Sequence, residues 1–457
     1  MKSVAIIGGG ITGLTAAVRL KGLGVPVTVY EGGSRVGGVI QSVRKNGFLA
    51  EFGPNSILET SPLITSLIQD LGLQNRRVNA NPEAAKRYIV RRKAPVAMPS
   101  SPAKFFTTSL FSTGAKLRLL VEPLMFRCPA EKEESLENFV LRRLGRDFLD
   151  YAINPLVGGI YAGNPAKLSV KHAFPKLHAL EQKYGSLLLG QFLGARERKK
   201  SGETSKQDAK PFSFENGLQD LIDALQQRLG TDLKLHAAVY KVSQSEDRWQ
   251  VTAQQDGRDV VVEHSNVVLA LPAHKLANIT LKTRKAADLK MLEQVYYPPV
   301  ASIVLGFHRE DVVHPLDGFG MLIPQKENFS ILGCLFSSSL FPNRAPDGDV
   351  TLTCYIGGAR NPDLALLPHD QLVTMCVKDL KTILGINGEP VFQHIQVFTK
   401  AIPQYEIGYG RFKDCMTQIE NSAPGLFFAG HARDGISLGD SIVSGHRVAE
   451  KISKYVR

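Results

Sequence analysis

The sequence predicts an α/β protein, α+β overall, that is assembled from separated parts of the chain. A short apolar strand, a glycine-containing turn and a helix stand near both ends, in VAIIGGGITGLTAAVRL (4–20) and in LFFAGHARDGISLGDSIVSGHRVAEKI (426–452). Between them, residues 99–194 are helix-rich, and residues 300–358 alternate as the strands of an antiparallel sheet do. Because 457 residues exceed one ordinary hydrophobic core, two or three domains are expected.

The N-terminal unit predicts a dinucleotide-binding turn. Gly8, Gly10 and Gly13 fit the pattern G-x-G-x-x-G between a β-branched strand and a helix expected over 12–23, and Glu31 ends the next strand, VTVYE. The first glycine allows the tight turn, the second lets the backbone approach a pyrophosphate, and the third permits close packing of helix on strand. The helix N-terminus attracts phosphates, and an acid at this point accepts hydrogen bonds from a ribose diol. A structural glycine turn is the alternative.

The middle of the chain predicts further elements in order. A helix is expected over 62–71, a basic strand, KRYIVRRK, over 86–93, and an amphipathic helix that ends at Gly230. An antiparallel sheet is predicted by four segments with the alternation of strands: ASIVLGF, FGMLIP, SILGCLF and VTLTCYIGG. The segment RERKKSGETSKQDAK, 196–210, has almost no apolar side chains, so we expect a solvated, mobile loop there.

The C-terminal unit predicts a second strand, glycine turn and helix. We expect its helix to begin near Asp440, with Asp440 as the capping residue rather than a titrating acid. The N-terminal amides of such a helix can stabilise negative charge on a bound group. An ordinary amphipathic C-terminal helix is the alternative for this unit alone.

Several longer motifs carry a family resemblance. AIIGGGITGL, RVGG, EFGPNS, KRYIV, NPLVGGIYAGNPAKLSV, GFGMLIP, LGCLFSSSLFPNRAP and GLFFAGHARDGISLGDSIVSG resemble motifs of the oxygen-dependent protoporphyrinogen IX oxidases, within the flavin-containing amine oxidase superfamily. The resemblance runs nearly end to end. It implies FAD, with its adenosine diphosphate end held by the first unit and its flavin end by the last.

The domain organisation expected with this resemblance is discontinuous. A Rossmann-like FAD-binding domain takes 1–76, 211–298 and 400–457, an antiparallel-sheet substrate-binding domain takes 77–98 and 299–399, and a helical, membrane-facing domain takes 99–210. The implied cofactor contacts are Gly8, Gly9, Gly10, Ile11, Thr12, Gly13, Glu31, Gly32, Arg35, Gly37, Gly38, Val39, Gly53, Pro54, Asn55, Ser56, Val239, Gly430, His431, Ile436, Ser437 and Leu438.

The resemblance also implies a substrate site. Its residues are Arg87, Leu156, Gly159, Phe319, Gly320, Leu322, Leu335 and Tyr355. Arg87 falls where the family holds a propionate, and a guanidinium can pair with a carboxylate bidentately. Leu322, Leu335 and Tyr355 would sandwich the ring, and Gly159 would let it approach the flavin. Tyr355 departs from the more usual apolar residue, which predicts a more polar wall there. The alternatives are a solvated strand arginine and ordinary sheet core.

The implied activity is oxidation of a porphyrinogen by FAD through successive hydride removals, with dioxygen as acceptor and hydrogen peroxide as product. We expect no acid or base side chain to be catalytic, because the reacting carbon is already activated by pyrrole nitrogens and positioning supplies most of the rate. His431 is expected to meet the cofactor mainly through its backbone. No metal-binding spacing of His or Cys is present in the sequence.

Composition constrains the partners and the compartment. The net charge is +12, yet no basic run carries interleaved aromatics, which argues against nucleic acid. Residues 101–127 mix Phe and Leu with four cations against one acid, Glu122, as an interfacial helical region does; a helical domain with its own core is the alternative. We expect a cytoplasmic protein without signal or transit peptide, peripheral on the inner face of the cytoplasmic membrane, and leave a homodimer open.

Three rival functions remain at this point. A coproporphyrinogen III oxidase of the same family is the nearest, although that branch tends to lack the arginine of KRY. A flavin amine oxidase would need an aromatic cage beside the flavin, and residues 426–440 offer only Phe427 and Phe428. A catalytically silent FAD-binding scaffold is the third.

Overall fold

The structure is a computed structural model that describes residues 3–191, 193, 209–255, 257–285 and 287–456. The loop predicted over 196–210 lies outside the described residues, apart from its last two positions. The predicted mixed architecture of helices and sheets is confirmed.

A parallel five-stranded sheet joins the two ends of the chain. From edge to edge its strands are Leu233–Lys234, Val27–Tyr30, Val4–Ile7, Asn266–Leu269 and Leu426–Phe428. Every neighbouring pair is parallel, and the central strands are apolar because both faces are covered.

Helices Ile11–Gly22 and Leu438–Val456 pack directly on each other beside this sheet. The approach is close enough that a Cβ on Gly445 would lie 2.5 Å from the Thr12 carbonyl oxygen. The first and last structural units of the chain therefore form one body.

A seven-stranded sheet forms the second large layer. Its order is Phe392–Phe398, Val300–His308, Asp349–Gly357, Ile331–Phe336, Gly318–Leu322, Lys86–Arg91 and Ala94–Ala97. The antiparallel pairing predicted for the strands between 300 and 358 is confirmed, whereas Gly318–Leu322 runs parallel to the basic strand Lys86–Arg91. These two strands are far apart in sequence, so no hairpin sets their relative direction.

The basic strand is also shorter than predicted. It ends at Arg91 instead of Lys93, because Arg92 and Lys93 adopt left-handed backbone conformations, with φ of 52° and 63°, in the turn that leads to Ala94–Ala97.

Three smaller sheets and further helices complete the described fold. The smaller sheets contain Arg258–His264, Arg248–Gln255, Ala237–Ser245 and Thr280–Lys282; Ile57–Leu58, Pro211–Phe214 and Arg77–Asn79; and Ser42–Lys45 with Phe48–Glu51. The remaining α-helices are Pro62–Asp70, Pro102–Thr107, Thr113–Leu120, Leu136–Arg143, Arg146–Phe148, Asn154–Tyr161, Val170–Ala173, Pro175–Tyr184, Gln219–Leu229, Ala273–Leu276, Ser337–Leu340, His369–Leu384 and Gly410–Ser422.

A buried ion-pair cluster stabilises the helical region. Arg143 and Glu122 are fully buried, and Glu181 is 1 % exposed; Arg143 donates to Glu122 at 3.0 Å and to Glu181 at 2.7 Å. Ser186 and the backbone amide of Leu187 also donate to Glu122. Counting Glu122 as an acid of an interfacial surface was therefore wrong.

Among the helices that the structure describes, none combines the length and apolar character needed to cross a bilayer.

Candidate cofactor and substrate site

The first glycine turn leaves room for a ligand at the start of helix Ile11–Gly22. A Cβ on Gly13 would lie only 2.0 Å from the Gly8 carbonyl oxygen, so this position requires glycine for the helix to pack on the strand. Gly10, in contrast, faces open space, with no atom within 4 Å of a Cβ position. No side chain caps this helix, so its first amides are available to phosphate oxygens.

Glu31 lies beside this space. Its carboxylate accepts hydrogen bonds from the amides of Gly9, at 2.9 Å, and Gly33, at 2.8 Å. The two carboxylate oxygens of Glu31 have further lone pairs, so a ribose diol can also donate hydrogen bonds to this carboxylate. The residues around the turn thus fit the adenosine diphosphate half of a dinucleotide.

Arg35 organises the second turn through its own backbone. Its guanidinium donates to the carbonyl oxygens of Val36, Ile40 and Gly38. The Gly37 amide donates to the Gly9 carbonyl at 2.8 Å and so ties this turn, with Gly32, Gly38 and Val39, to the first one. Arg35 therefore shapes the turn.

The segment Gly53, Pro54, Asn55 and Ser56 packs on the second turn. A Cβ on Gly53 would lie 2.5 Å from the Val39 carbonyl oxygen. Val239 lies at a register shift in strand Ala237–Ser245, beside the turn that contains Gly32.

Glu51, next to this segment, was missed by the sequence analysis. Its buried carboxylate accepts hydrogen bonds from the Ser42 hydroxyl and from the Leu218 amide. Burial raises the pKa of Glu51 to about 7, against the opposing effect of these hydrogen bonds. The partners lie 9 and 167 residues away, so no local pattern reveals this acid.

The C-terminal turn faces the first turn. A Cβ on Gly430 would lie 3.4 Å from the Thr12 hydroxyl oxygen, so the two glycine turns lie next to each other. The last helix begins at Leu438, two residues before the position predicted. Asp440 is not the capping residue; the Ser437 hydroxyl accepts from the Asp440 amide at 3.1 Å, and the Asp440 carboxylate accepts from the Ser437 amide at 3.2 Å. This reciprocal capping box fixes the direction of the helix N-terminus.

Three tyrosines support the same turn and were also missed. Tyr405 donates to the His431 carbonyl oxygen, Tyr409 donates to the Ala432 carbonyl oxygen at 2.7 Å, and Tyr297 lies 3.3 Å from the His431 Nε2 atom. Tyr405 and Tyr409 are each 2 % exposed, so they lie beneath the turn and form no open aromatic cage.

Burial lowers the pKa of His431 to about 4, and the imidazole is therefore neutral near pH 7. Ile436 packs between two hydrophobic clusters of the fold.

One face of the seven-stranded sheet, named the chamber face below, packs toward helix Asn154–Tyr161. In strand Ile331–Phe336 only Leu335 is partly exposed, and in the interior of Asp349–Gly357 only Tyr355 is. Leu322 contacts Gly159, where a Cβ would lie 2.5 Å from the leucine methyl. Leu335 pairs with Gly320, and Leu156 lies half-buried on the facing helix. The structure therefore brings most of the predicted substrate residues together.

Arg87 lies at the edge of this face. Its guanidinium is 5.8 Å from the Phe319 ring centroid, and its strand pairs with Gly320. The neighbouring Lys86 pairs with Asp317, and Arg91 donates to the Leu110 carbonyl, whereas Arg87 has no carboxylate partner among the described residues.

Arg360 was missed, and it joins the two walls of the chamber. Its guanidinium donates to the Asn154 carbonyl and to the Ile323 carbonyl at 3.0 Å, so it ties helix Asn154–Tyr161 to the strand that carries Leu322. Burial without an acidic partner lowers the pKa of Arg360 to about 10.

In the part of the chain that the structure describes, no cluster of three His, Cys, Asp or Glu side chains could hold a metal ion.

Comparison with known proteins identifies the family. Residues 11–453 match the model of the flavin containing amine oxidoreductases. The chain belongs to this family. Its cofactor is FAD, which the paired glycine turns and Glu31 fit, and it is an oxidoreductase.

Individual relatives of this flavoprotein cover its full length. It is 35 % identical over 480 aligned positions to protoporphyrinogen oxidase 2, chloroplastic/mitochondrial, of Arabidopsis thaliana, covering all of this chain and 94 % of the relative. It is 30 % identical to the coproporphyrinogen III oxidase of Bacillus subtilis (strain 168), covering 100 % and 98 %. A crystal structure from Exiguobacterium sp. 255-15, provisionally assigned as a protoporphyrinogen oxidase, matches with a TM-score of 0.82 and 26 % identity over 99 % of both chains.

Proposed function

We propose that this flavoprotein oxidises protoporphyrinogen IX to protoporphyrin IX in porphyrin biosynthesis. The observation that carries the proposal is the apolar chamber face, where Leu322 packs on Gly159 and Leu335 is partly exposed, with Arg87 at its edge and without a carboxylate partner among the described residues. A porphyrinogen is a large, mostly apolar ring with carboxylate side chains, so the apolar face and the cation match its two parts. The names of the Arabidopsis and Bacillus relatives support the same class of substrate.

The residues of this chain bind and orient the ring. Arg87 would hold a propionate, and the leucines would fix the ring plane. FAD, held by the two glycine turns, would supply the hydride acceptor for the successive oxidations, with dioxygen as the final electron acceptor and hydrogen peroxide as its product. Helix Leu438–Val456, aimed by its capping box, would stabilise the charge that develops during reduction.

Replacing Arg87 with alanine tests the binding role. We expect KM for protoporphyrinogen IX to rise about tenfold or more with a smaller change in kcat, because a charge-assisted bond to the carboxylate is lost. The measurement is porphyrin fluorescence in air at equal flavin content. Arg92→Ala, at the exposed hairpin turn of the same strand, is the matched control. An unchanged KM in Arg87→Ala would remove this residue from the site.

Flavin bleaching without oxygen, together with the choice of substrate, distinguishes the rival functions. A silent scaffold would show no flavin bleaching by either porphyrinogen without oxygen. An amine oxidase would be bleached by amines; solved amine oxidases such as cyclohexylamine oxidase match at only 15 % identity, which shows the fold alone. Turnover of coproporphyrinogen III in preference would assign the chain to that branch.

We further propose that the helical region rests on an anionic membrane, on the inner face of the cytoplasmic membrane. Leu117, Leu120, Leu124 and Phe126 are 60 %, 60 %, 80 % and 90 % exposed, which is far more apolar surface than scattered single residues leave. Three cations of this stretch, Lys116, Arg118 and Arg127, donate to backbone carbonyls, and its single acid, Glu122, is buried. The surface is therefore apolar and cationic, as interfacial binding requires.

The double substitution Leu124→Ser/Phe126→Ser tests this proposal. We expect binding to anionic liposomes to weaken about tenfold or more, because each fully buried side chain of this size contributes about 1.5–3 kcal/mol. Co-sedimentation at low salt measures the effect. Val313→Ser/Leu366→Ser removes exposed apolar side chains elsewhere and should bind as wild type does. Failure of the wild-type protein to sediment with the liposomes would refute the proposal.

A further inference from the structure

One turn of the seven-stranded sheet holds helix Asn154–Tyr161 at both of its ends. At the C-terminal end the Ala359 amide donates to the carbonyl oxygen of Ala162, the residue that caps this helix, at 2.6 Å. At the N-terminal end the Arg360 guanidinium donates to the backbone and side-chain oxygens of Asn154, at 2.5 Å and 2.8 Å. Two adjacent residues of this turn therefore span a helix that is about 12 Å long.

The same guanidinium also lies beside the middle of the helix and reaches the sheet. A Cβ on Gly158 would lie 2.7 Å from the Arg360 Nη2 atom, so any larger residue there would displace the guanidinium. Arg360 donates to the Ile323 carbonyl oxygen at 3.0 Å, directly after the strand that carries Leu322. A Cβ on Gly159 would meet Leu322 instead. The two consecutive glycines therefore lie against two different side chains, the arginine and the chamber leucine.

A stabilising role does not by itself account for a guanidinium in this place. Arg360 is largely buried without an acidic partner, and its Nε atom is buried without a hydrogen-bond partner. Burying a cation costs free energy that an acidic partner normally offsets, and an apolar side chain of similar volume is often as stable in such a position. Residues that break a rule of stability in this way are expected at functional sites.

We propose that Arg360 is a positioning residue of the chamber, which holds helix Asn154–Tyr161 against the sheet at the place that orients the porphyrinogen ring. The inference rests on the proposed function and deepens it. The helix supplies Leu156 and Gly159, and the strand supplies Leu322, so the two walls that would fix the ring plane are joined by this one side chain. A displacement of about 1 Å in such an arrangement can cost about 100-fold in rate.

Arg360→Met tests this role, because methionine occupies similar space without a hydrogen-bond donor. We expect kcat/KM for protoporphyrinogen IX to fall about tenfold or more, and the affinity for the product protoporphyrin IX, measured by porphyrin fluorescence, to fall as well. The Kd for FAD should stay within twofold of wild type, since the guanidinium bonds with neither glycine turn. Arg360→Lys should restore part of the loss, because an ammonium group can keep one of these hydrogen bonds.

Arg309→Met is the matched control. Arg309 also donates to two backbone carbonyl oxygens, those of Val312 and His314. It follows His308, at the opposite end of this pair of strands from Arg360. Arg309→Met should keep kcat/KM and porphyrin affinity within twofold of wild type. The midpoint of urea unfolding should fall no further in Arg360→Met than in Arg309→Met, which separates positioning from a loss of stability.

Gly158→Ala provides a second test that keeps the arginine, and it decides the matter if Arg360→Met does not fold. Its methyl would displace the guanidinium, so kcat/KM should fall about tenfold or more. In the Arg360→Met background the same substitution should cost much less, because no guanidinium is left to displace. Gly159→Ala, whose methyl would meet Leu322, should be equally harmful in both backgrounds.

The outcomes separate the two proposals. If wild type oxidises protoporphyrinogen IX, and Arg360→Met and Gly158→Ala stay within twofold of it in kcat/KM and in product affinity, the role of Arg360 is overturned while the proposed function stands. A loss in Arg360→Met that Arg309→Met matches, or that FAD affinity follows, overturns the role as well. If wild type neither oxidises the porphyrinogen nor binds the porphyrin, the proposed function fails and this inference fails with it.

Discussion

Gly13→Ala is expected to yield a protein that binds FAD about 10- to 100-fold more weakly than wild type. The added methyl would lie 2.0 Å from the Gly8 carbonyl oxygen, which is a backbone atom and cannot move aside as the end of a flexible side chain could. Relieving such overpacking costs about 1–3 kcal/mol, and it moves the helix amides away from the phosphate position. Flavin absorbance after desalting and the Kd for FAD from fluorescence quenching measure the effect.

Gly22→Ala is the matched control for this result. It lies in the last turn of the same helix, and a Cβ there meets no atom within 4 Å. Alanine favours helix over glycine by up to about 1 kcal/mol, so this variant should retain FAD and unfold at the same or a higher temperature. Full FAD retention by Gly13→Ala would show that the first glycine turn does not hold the cofactor.

Arg143→Met is expected to destabilise the protein by about 3–5 kcal/mol, because Glu122 would remain buried without its cation and Glu181 would keep only Arg142. The midpoint of urea unfolding, followed by circular dichroism, measures the loss. Arg146→Met removes an arginine whose side chain is 67 % exposed and paired with Asp150, and it should have little effect.

Acid should weaken the same cluster in the wild-type protein. Burial alone would raise the pKa of Glu181, but hydrogen bonds from Arg142 and Arg143 bring it below its ordinary value. The stabilisation that this carboxylate provides is therefore present above the ordinary glutamate pKa and is lost as the pH falls through the lowered one. Equal urea midpoints for Arg143→Met and Arg146→Met would show that the cluster is not stabilising.

Local sequence patterns predicted the parts of the site whose physical requirements are local. The need for glycine at Gly8 and Gly13 arises within one turn, and Glu31 follows at the end of the adjacent strand. The chamber positions Leu322, Leu335 and Tyr355 entered through longer motifs, and the structure places them on one face of one sheet.

Features that depend on distant partners could not be predicted in this way. Glu51, Arg360 and Tyr405 bond with groups far along the chain, so their neighbours in sequence say nothing of their roles. Asp440 was predicted to be the N-cap because Ser and Asp are both favoured at that position. Only the backbone of the structure shows that Ser437 is the residue that precedes the helix. The parallel pairing of Gly318–Leu322 with Lys86–Arg91 was not predicted, because these strands are also far apart in the sequence.

The order of strands in the central sheet bears on how the protein is made in the cell. Strand Leu426–Phe428 joins the sheet beside Asn266–Leu269, and the helix after it covers the first helix. During synthesis the N-terminal unit therefore leaves the ribosome long before the segment that shields it. Chaperones are expected to protect that early apolar surface, and flavin loading becomes a step that follows translation, since such long-range pairing also makes folding slow.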